Sequence, residues 1–224
     1  MQQVVDHIFS RELARTATAL SFVLLATSLM NIVVFPLFDP VFTYARDVSV
    51  FASSAALIGI GLVAAFRPAL LRVRLLQRVA LGCLAAGAVL VPLSLYALSP
   101  IGLVVGASLA AVGRSWVVVA VGMAASRLGV RQAGVCVSLA FVAYYLMTAL
   151  VWVVPVVAGV ALFFVLPFAS LALAWPRARA VLEAAETGEA PADFSITQPS
   201  SFLPLGSQLF VCLFLFRVAF GYSL

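Results

Sequence analysis

The sequence predicts an all-α membrane protein: a polytopic bundle of six transmembrane helices followed by a truncated seventh. Of its 224 residues, 65% are hydrophobic and 9% are charged, whereas a soluble domain carries about 25% charged residues. The mean hydropathy is +1.20, so the lipid bilayer is the predicted solvent and partner of the chain. Because backbone groups in lipid must be hydrogen-bonded within their own segment, the apolar segments are predicted to be helices.

Six apolar segments follow one another, and each is close to the ~20 residues that cross a ~30 Å hydrocarbon core. Proline, serine or arginine marks most of their ends. The predicted helices are residues 16–38, 48–66, 79–98, 101–125, 133–154 and 156–175. Together they make a predicted transmembrane bundle over residues 1–175.

The remaining residues divide into two predicted parts. Residues 176–208 are polar and predict a linker. Within them, residues 178–185 could form a short surface helix, whereas residues 188–207 are rich in Pro, Ser and Thr, as linkers are. Residues 209–224 are apolar again, but they are too few for a complete span. We therefore expect the chain to stop within a seventh transmembrane helix, as a fragment would.

The distribution of arginine predicts the orientation in the membrane. All 13 basic residues are arginine, and only Arg46 falls in an outer loop when the N-terminus is placed inside. Ten of them then lie in inner segments: Arg11, Arg15, Arg67, Arg72, Arg74, Arg78, Arg127, Arg131, Arg177 and Arg179. Since basic residues accumulate on the cytoplasmic side, we predict a multi-pass plasma-membrane protein with a cytoplasmic N-terminus and linker.

Three polar side chains lie within predicted membrane segments: Arg114, Arg217 and Asn31. A guanidinium at the bilayer centre costs about 2.5–3.5 kcal/mol, so Arg114 is expected to face protein or a cavity. It could bind an anion there, or donate hydrogen bonds to a neighbouring helix. Arg217 could bind a ligand or extend toward the inner surface, and Asn31 could bind a ligand or join two helices.

The balance of charge within the membrane predicts the class of ligand. No acidic residue lies inside a membrane segment, and Asp47 is at an outer edge. Arginine without a buried carboxylate favours a small anionic ligand, and it removes the usual partner of a proton relay. Tyr144 and Tyr145 are further candidates for lining a cavity, although either could serve packing alone.

Small residues on the fourth segment predict close helix packing. Gly102, Gly106 and Ala110 recur at four-residue spacing, which lets another helix approach. Gly82 and Ala86 predict a similar face on the third segment. Packing within the bundle is favoured over a homodimer contact, and the oligomeric state stays open.

The chain has none of the motifs of a soluble enzyme. It contains no HExxH, P-loop or GxSxG sequence. The cysteines, Cys83, Cys136 and Cys212, lie in apolar segments without metal-ligand spacing. We therefore expect neither enzymatic activity nor a metal or other cofactor.

The arrangement of six helices, a cytoplasmic linker and a new helix resembles the major facilitator superfamily, in which an inner loop joins two six-helix halves. The resemblance implies that helices 1, 4 and 7, which carry Asn31, Arg114 and Arg217, line a central cavity. Residues 67–78 are basic, as the corresponding loop is in that superfamily, but they lack its signature Gly and Asp. That departure weakens the case for active transport.

A closer resemblance is carried by Gly-Arg-Ser-Trp at residues 113–116 and by SFLPLGSQLFVCLFLFRVAFGY at residues 201–222. Both are similar to membrane-bound LuxR-family transcriptional regulators, in which a twelve-helix, facilitator-like region precedes a C-terminal helix-turn-helix domain. The resemblance implies that this chain is the N-terminal half of a sensor region, which would contact DNA only through a domain beyond residue 224. The alternatives are the N-terminal half of a facilitator-type transporter and, less favoured, a small six-helix membrane protein.

Overall fold

The computed structural model of the chain describes residues 10–66 and 73–186. Every regular element in these ranges is a helix, and six of the helices are long and apolar enough to cross a membrane. They are α1 (Arg11–Leu29), α2 (Ala45–Phe66), α3 (Val73–Tyr96), α4 (Pro100–Ser126), α5 (Val130–Val151) and α6 (Val156–Glu186). The predicted all-α, multi-pass helix bundle is confirmed.

The last helix extends further than the apolar pattern predicted. α6 runs through Pro176 to Glu186, so the first residues of the predicted linker are helical. Four of residues 178–185 are Ala, the residue that most favours helix, and Arg179 pairs with Glu183 one turn later. Residues 187–224 lie outside the described part, and with them the predicted seventh helix and Arg217.

α4 is the central helix of the bundle. It packs most extensively against α3 and also contacts α2 and α6, while α1 packs against α5 and α6. In its most apolar stretch, 56% of α4 is buried, more than in any other of the six spans. A polar residue in the middle of α4 is therefore held by protein on several sides.

Small residues bring α3 and α4 into close contact. A Cβ on Gly106 would lie 2.9 Å from the Cβ of Leu90, and one on Gly87 would lie 2.6 Å from the Cβ of Ala110. Gly102 faces Ser94 in the same interface. The stripe Gly102, Gly106 and Ala110 thus lies against α3 inside the bundle.

The face of α3 in that interface differs from the predicted one. A Cβ on Gly82 would meet no heavy atom within 4 Å, because Gly82 is exposed. Gly87 instead meets Ala110, and Leu84 approaches Gly113. The prediction that the face with Gly82 and Ala86 packs against another helix is wrong. A uniformly apolar helix offers little pattern from which to judge which of its faces is covered.

The turn between α3 and α4 holds a residue in left-handed backbone conformation. Leu98 has a φ of 49°, and the amide of Ser99 donates to the carbonyl of Ser94 over 3.0 Å. The hydroxyl of Ser99 then accepts from the amide of Gly102, which caps the start of α4. Left-handed conformation is costly for a residue with a Cβ, so this tight turn carries local strain.

The first membrane span, Arg11–Leu37, continues past α1 in two other helical forms. A π-helical turn, Met30–Val34, leads into a 3₁₀ turn, Phe35–Leu37. Pro36 lies in the 3₁₀ turn and cannot donate a backbone hydrogen bond, so the regular α-helical ladder cannot continue through it. The altered winding leaves Val34 and Phe35 buried and Asn31 exposed.

The C-terminal part of α6 is held at the end of the bundle where α1 begins. Arg177 forms an ion pair with Glu12 of α1. Nη2 of Arg127, after α4, donates to the carbonyl oxygen of Ala180 over 3.3 Å. The part of α6 beyond Trp175 is therefore tied both to α1 and to the α4–α5 turn.

Candidate functional site

A cavity of about 230 Å³ lies between α1, α2 and α4, with Pro167 of α6 on one side. Most of its wall is apolar and comes from residues such as Val23, Leu57 and Val117. Its polar lining is one guanidinium and five hydroxyls: Arg114, Thr27, Ser49, Ser53, Ser54 and Ser115. This combination suits a small molecule with one charged end and an apolar remainder.

Arg114 enters the cavity from the middle of α4. Its Cζ lies 4.8 Å from the ring centroid of Phe163, which gives a cation–π contact. Its Nη1 contacts the sulfur of Met30, which is a weak hydrogen-bond acceptor. Met30 is the first residue of the π-helical turn, so the altered winding of α1 forms part of the Arg114 environment.

The positive charge of Arg114 is not neutralised by any described residue. Its Nε is buried and has no hydrogen-bond partner within residues 10–66 and 73–186. Arg177 and Arg179, by contrast, have carboxylate partners in Glu12 and Glu183. A ring face and a sulfur stabilise a cation much less than a carboxylate does, so an incoming anion would find an unpaired guanidinium.

Two of the hydroxyls hold α2 to α4 beside this guanidinium. Oγ of Ser53 lies 2.9 Å from Oγ of Ser115, and Ser115 also bonds the carbonyl of Ala111 over 2.9 Å. Thr27 and Ser54 donate to carbonyls of their own helices over 3.0 Å. A hydroxyl can rotate, and it can both donate and accept a hydrogen bond. These four hydroxyls could therefore turn toward a polar ligand and bond to it.

Of the side chains predicted from the sequence to bind a ligand, Arg114 lines this cavity. Asn31 is exposed and lies away from it. The hydroxyl of Tyr144 bonds Oγ of Ser28 over 2.7 Å between α5 and α1, while Tyr145 is 65% exposed beside Tyr144. The role of Arg217 stays a prediction.

The hydroxyl groups that line one side of the cavity were not predicted from the sequence. Ser49 and Ser53 are one helical turn apart, so they share a face of α2. Ser115 directly follows Arg114, and Met30 lies beside Asn31. The spacing of the α2 serines was a usable signal, whereas nothing in the local sequence indicated that α2, rather than α5, would face Arg114.

The described side chains do not form a metal-binding cluster. Between residues 10 and 66 and between 73 and 186, no three His, Cys, Asp or Glu side chains come together to hold a metal. No protein-family profile, no curated protein and no solved structure matches the chain.

Proposed function

We propose that this protein is the membrane-embedded sensor region of a LuxR-type one-component transcriptional regulator, and that it binds a small anionic ligand at Arg114. The observation that carries the proposal is an unneutralised guanidinium, with a buried and unpartnered Nε, in the wall of a cavity at membrane depth. Ionisable residues at such depth are costly and tend to be functional. A carboxylate could accept two parallel hydrogen bonds from it and neutralise its charge.

The neighbouring groups support a ligand with an apolar body. The hydroxyls of Ser53 and Ser115 lie beside Arg114, whereas Val23, Leu57 and Val117 supply apolar wall. A small monocarboxylate would place its charge at the guanidinium and its hydrocarbon part among the apolar side chains. Burial of that part would add to the affinity.

A sensor is favoured over a transporter by two features that the sequence lacks. No Asp or Glu lies inside a predicted membrane segment, and residues 67–78 lack the Gly and Asp of the facilitator signature. The resemblance of residues 113–116 and 201–222 to LuxR-family membrane regulators supports the same choice. In this mechanism the ligand binds one conformation of the membrane region more tightly, and a C-terminal DNA-binding domain responds to the shift.

Binding can be tested with the protein in lipid nanodiscs and a panel of small carboxylates such as butyrate and benzoate. We expect Arg114→Gln to weaken binding of the best carboxylate by at least about ten-fold, as the loss of charged hydrogen bonds predicts. The matched control is Arg46→Gln, because Arg46 also lies over a ring, 5.4 Å from the centroid of Phe35, but is exposed. Equal affinities for the native protein and Arg114→Gln would refute the site.

The sensor role has a separate test in the gene. A reading frame that continues past residue 224 through six more helices into a helix-turn-helix domain, with carboxylate-dependent expression from its promoter, supports the sensor. A frame that closes after a twelfth helix, with carboxylate flux into proteoliposomes that Arg114→Ala abolishes, supports a facilitator-type transporter instead. The six-helix arrangement and the predicted inner linker are what favour that alternative.

A further inference from the structure

The lining of the Arg114 cavity differs from one end of the cavity to the other. Successive spans cross the membrane in opposite directions, so α2 and α4 are parallel, and the bond between Ser53 and Ser115 joins residues at the same depth. Ser49 lies one turn before that depth and Leu57 one turn after it. The polar end is lined by Ser49, Ser53, Arg114 and Ser115, the apolar end by Val23, Leu57, Val118 and Pro167, and Thr27 and Ser54 lie between them.

The guanidinium of Arg114 belongs to the polar end. A helical side chain leans toward the N-terminus of its helix, and Arg114 borders a small void together with Ala110 and Ala107, one and two turns earlier in α4. It is half-buried rather than fully enclosed, so a ligand in the cavity can reach it. The positive charge and Leu57 therefore lie at opposite ends of one cavity.

The apolar end of the cavity is closed by the core of the bundle. Val23 packs against a cluster of buried side chains from α1, α3, α4 and α6. Members of this cluster that are at most 3% exposed include Ala19, Ala120, Val121 and Leu171. A chain that begins at Arg114 and follows the cavity therefore meets Leu57 and Val23 at its far end.

We infer that the cavity selects an aliphatic monocarboxylate of about eight carbon atoms, and that Leu57 sets this length. The inference rests on the proposed function, since Arg114 binds the carboxylate. The polar end would hold the head group, and the methylenes would be buried between the helices up to Leu57. Each further methylene would have to displace that side chain or leave the cavity, so the gain from burial ends there.

The size of the cavity gives the number of carbon atoms. Ser49 and Leu57 are eight residues apart, which corresponds to ~12 Å along α2. A hydrogen bond to the guanidinium takes about 3 Å of that length. Since C–C bonds of about 1.5 Å advance an extended chain by about 1.25 Å each, about eight carbons fill the rest. An apolar cavity of about 150 Å³ holds the six carbons of benzene, so a cavity of about 230 Å³ agrees with this size.

The inference is tested by equilibrium dialysis of the full chain in nanodiscs against butyrate, hexanoate, octanoate and decanoate, with binding to empty nanodiscs subtracted. We expect the affinity to rise about four-fold for each methylene up to octanoate, the change that about 0.8 kcal/mol per methylene produces. Decanoate should bind no more tightly than octanoate, because its last two carbons find no space beyond Leu57.

Substitutions of Leu57 should move this limit in both directions. Leu57→Ala should make decanoate bind more tightly than octanoate, because it opens the far end of the cavity. Leu57→Phe should weaken octanoate binding at least about ten-fold through overlap with the chain. It should leave butyrate binding unchanged, which also shows that the variant is folded. The matched control is Leu62→Phe, because Leu62 of the same helix is 53% exposed and does not line the cavity.

Two different results distinguish failure of this inference from failure of the proposed function. If no carboxylate shows binding that depends on Arg114, the proposed function is refuted and the inference with it. If Arg114→Gln abolishes binding but butyrate, octanoate and decanoate bind the native protein equally well, the proposed function stands and the length selection is overturned. An unchanged preference for octanoate in both Leu57 variants would overturn the role of Leu57.

Discussion

α2 and α4 are both long apolar helices, yet they are packed in opposite ways. In their most apolar stretches, 56% of α4 but 6% of α2 is buried. Glycines of α4 such as Gly106 and Gly113 lie against the backbone of α3, whereas Gly59 and Gly61 of α2 face open space. A small residue therefore indicates close packing only where a partner backbone is present. The Arg114 cavity lies where α2 meets α4, and the low burial of α2 leaves space beside it.

The largest expected change in stability comes from a substitution that disrupts the packing of α4. A Cβ on Gly113 would lie 2.9 Å from the backbone N of Leu84 and 3.0 Å from the carbonyl oxygen of Ala80. Since backbone cannot give way as a flexible side chain can, Gly113→Val should lower the free energy of unfolding by about 3 kcal/mol. The control is Gly122→Val in the same helix, where a Cβ meets nothing within 4 Å. Unfolding in mixed micelles measures the free energy of unfolding of both variants. Equal decreases in the two would show that the close contact between Gly113 and α3 does not contribute to stability.

The next largest change in stability is expected at Arg114, the buried charge of α4. Arg114→Met should raise the free energy of unfolding by about 1–2 kcal/mol, because it removes a buried charge without a carboxylate partner and keeps an apolar side chain of similar length. The same variant should lose carboxylate binding. Arg46→Met, at an exposed arginine, should change stability little. A clear loss of stability in Arg114→Met would mean that the guanidinium holds the bundle together rather than awaiting a ligand.

A smaller effect is expected at the turn that leads into α4. Leu98→Gly should raise the free energy of unfolding by about 1 kcal/mol, because glycine adopts the φ of 49° without steric cost. Ala97→Gly is the control one residue earlier. Ala97 does not have a positive φ, so glycine there should be neutral or destabilising. Thermal unfolding of the two variants distinguishes relief of strain from a general effect of glycine.

The smallest effect concerns the hydroxyl bond between α2 and α4. Ser53→Ala removes the partner of Ser115 and should lower the free energy of unfolding by about 0.6 kcal/mol, the average for such bonds in membranes. Ser54→Ala should be close to neutral, because that hydroxyl bonds Val50 of its own helix. A loss of several kcal/mol in Ser53→Ala would show that α2 depends on this bond far more than its burial suggests.

The sequence was sufficient to predict the helices but not how far each extends or which side of it is covered. Apolar length located all six, since lipid demands about 20 residues for each span. It placed the end of the sixth at residue 175, whereas α6 continues to Glu186. A helix does not stop where the hydrocarbon core does, because Ala, Leu, Glu and Arg favour helix equally well in water.

Only part of the candidate site could be predicted from the sequence. Arg114 could be identified because a charge is conspicuous in an apolar segment. Ser53 and Ser115 could not be paired in advance, since their meeting depends on the rotation of two helices with little amphipathic pattern. Tyr144 was a candidate for the cavity, but it bonds Ser28 on the α5 side of α1, which only the arrangement of the helices reveals.

The π-helical turn Met30–Val34 gives the first membrane span, Arg11–Leu37, a place where a change of chain length can be tolerated. Such a turn holds about one residue more than an α-helical turn of 3.6 residues. Deleting one residue there would restore ordinary winding and leave the flanking segments in their present alignment. The same deletion near Leu24 would rotate one half of α1 by about 100° against the other and move Val34 and Phe35 out of the core. Insertions and deletions in this helix are therefore expected to be accepted at that turn and rejected elsewhere.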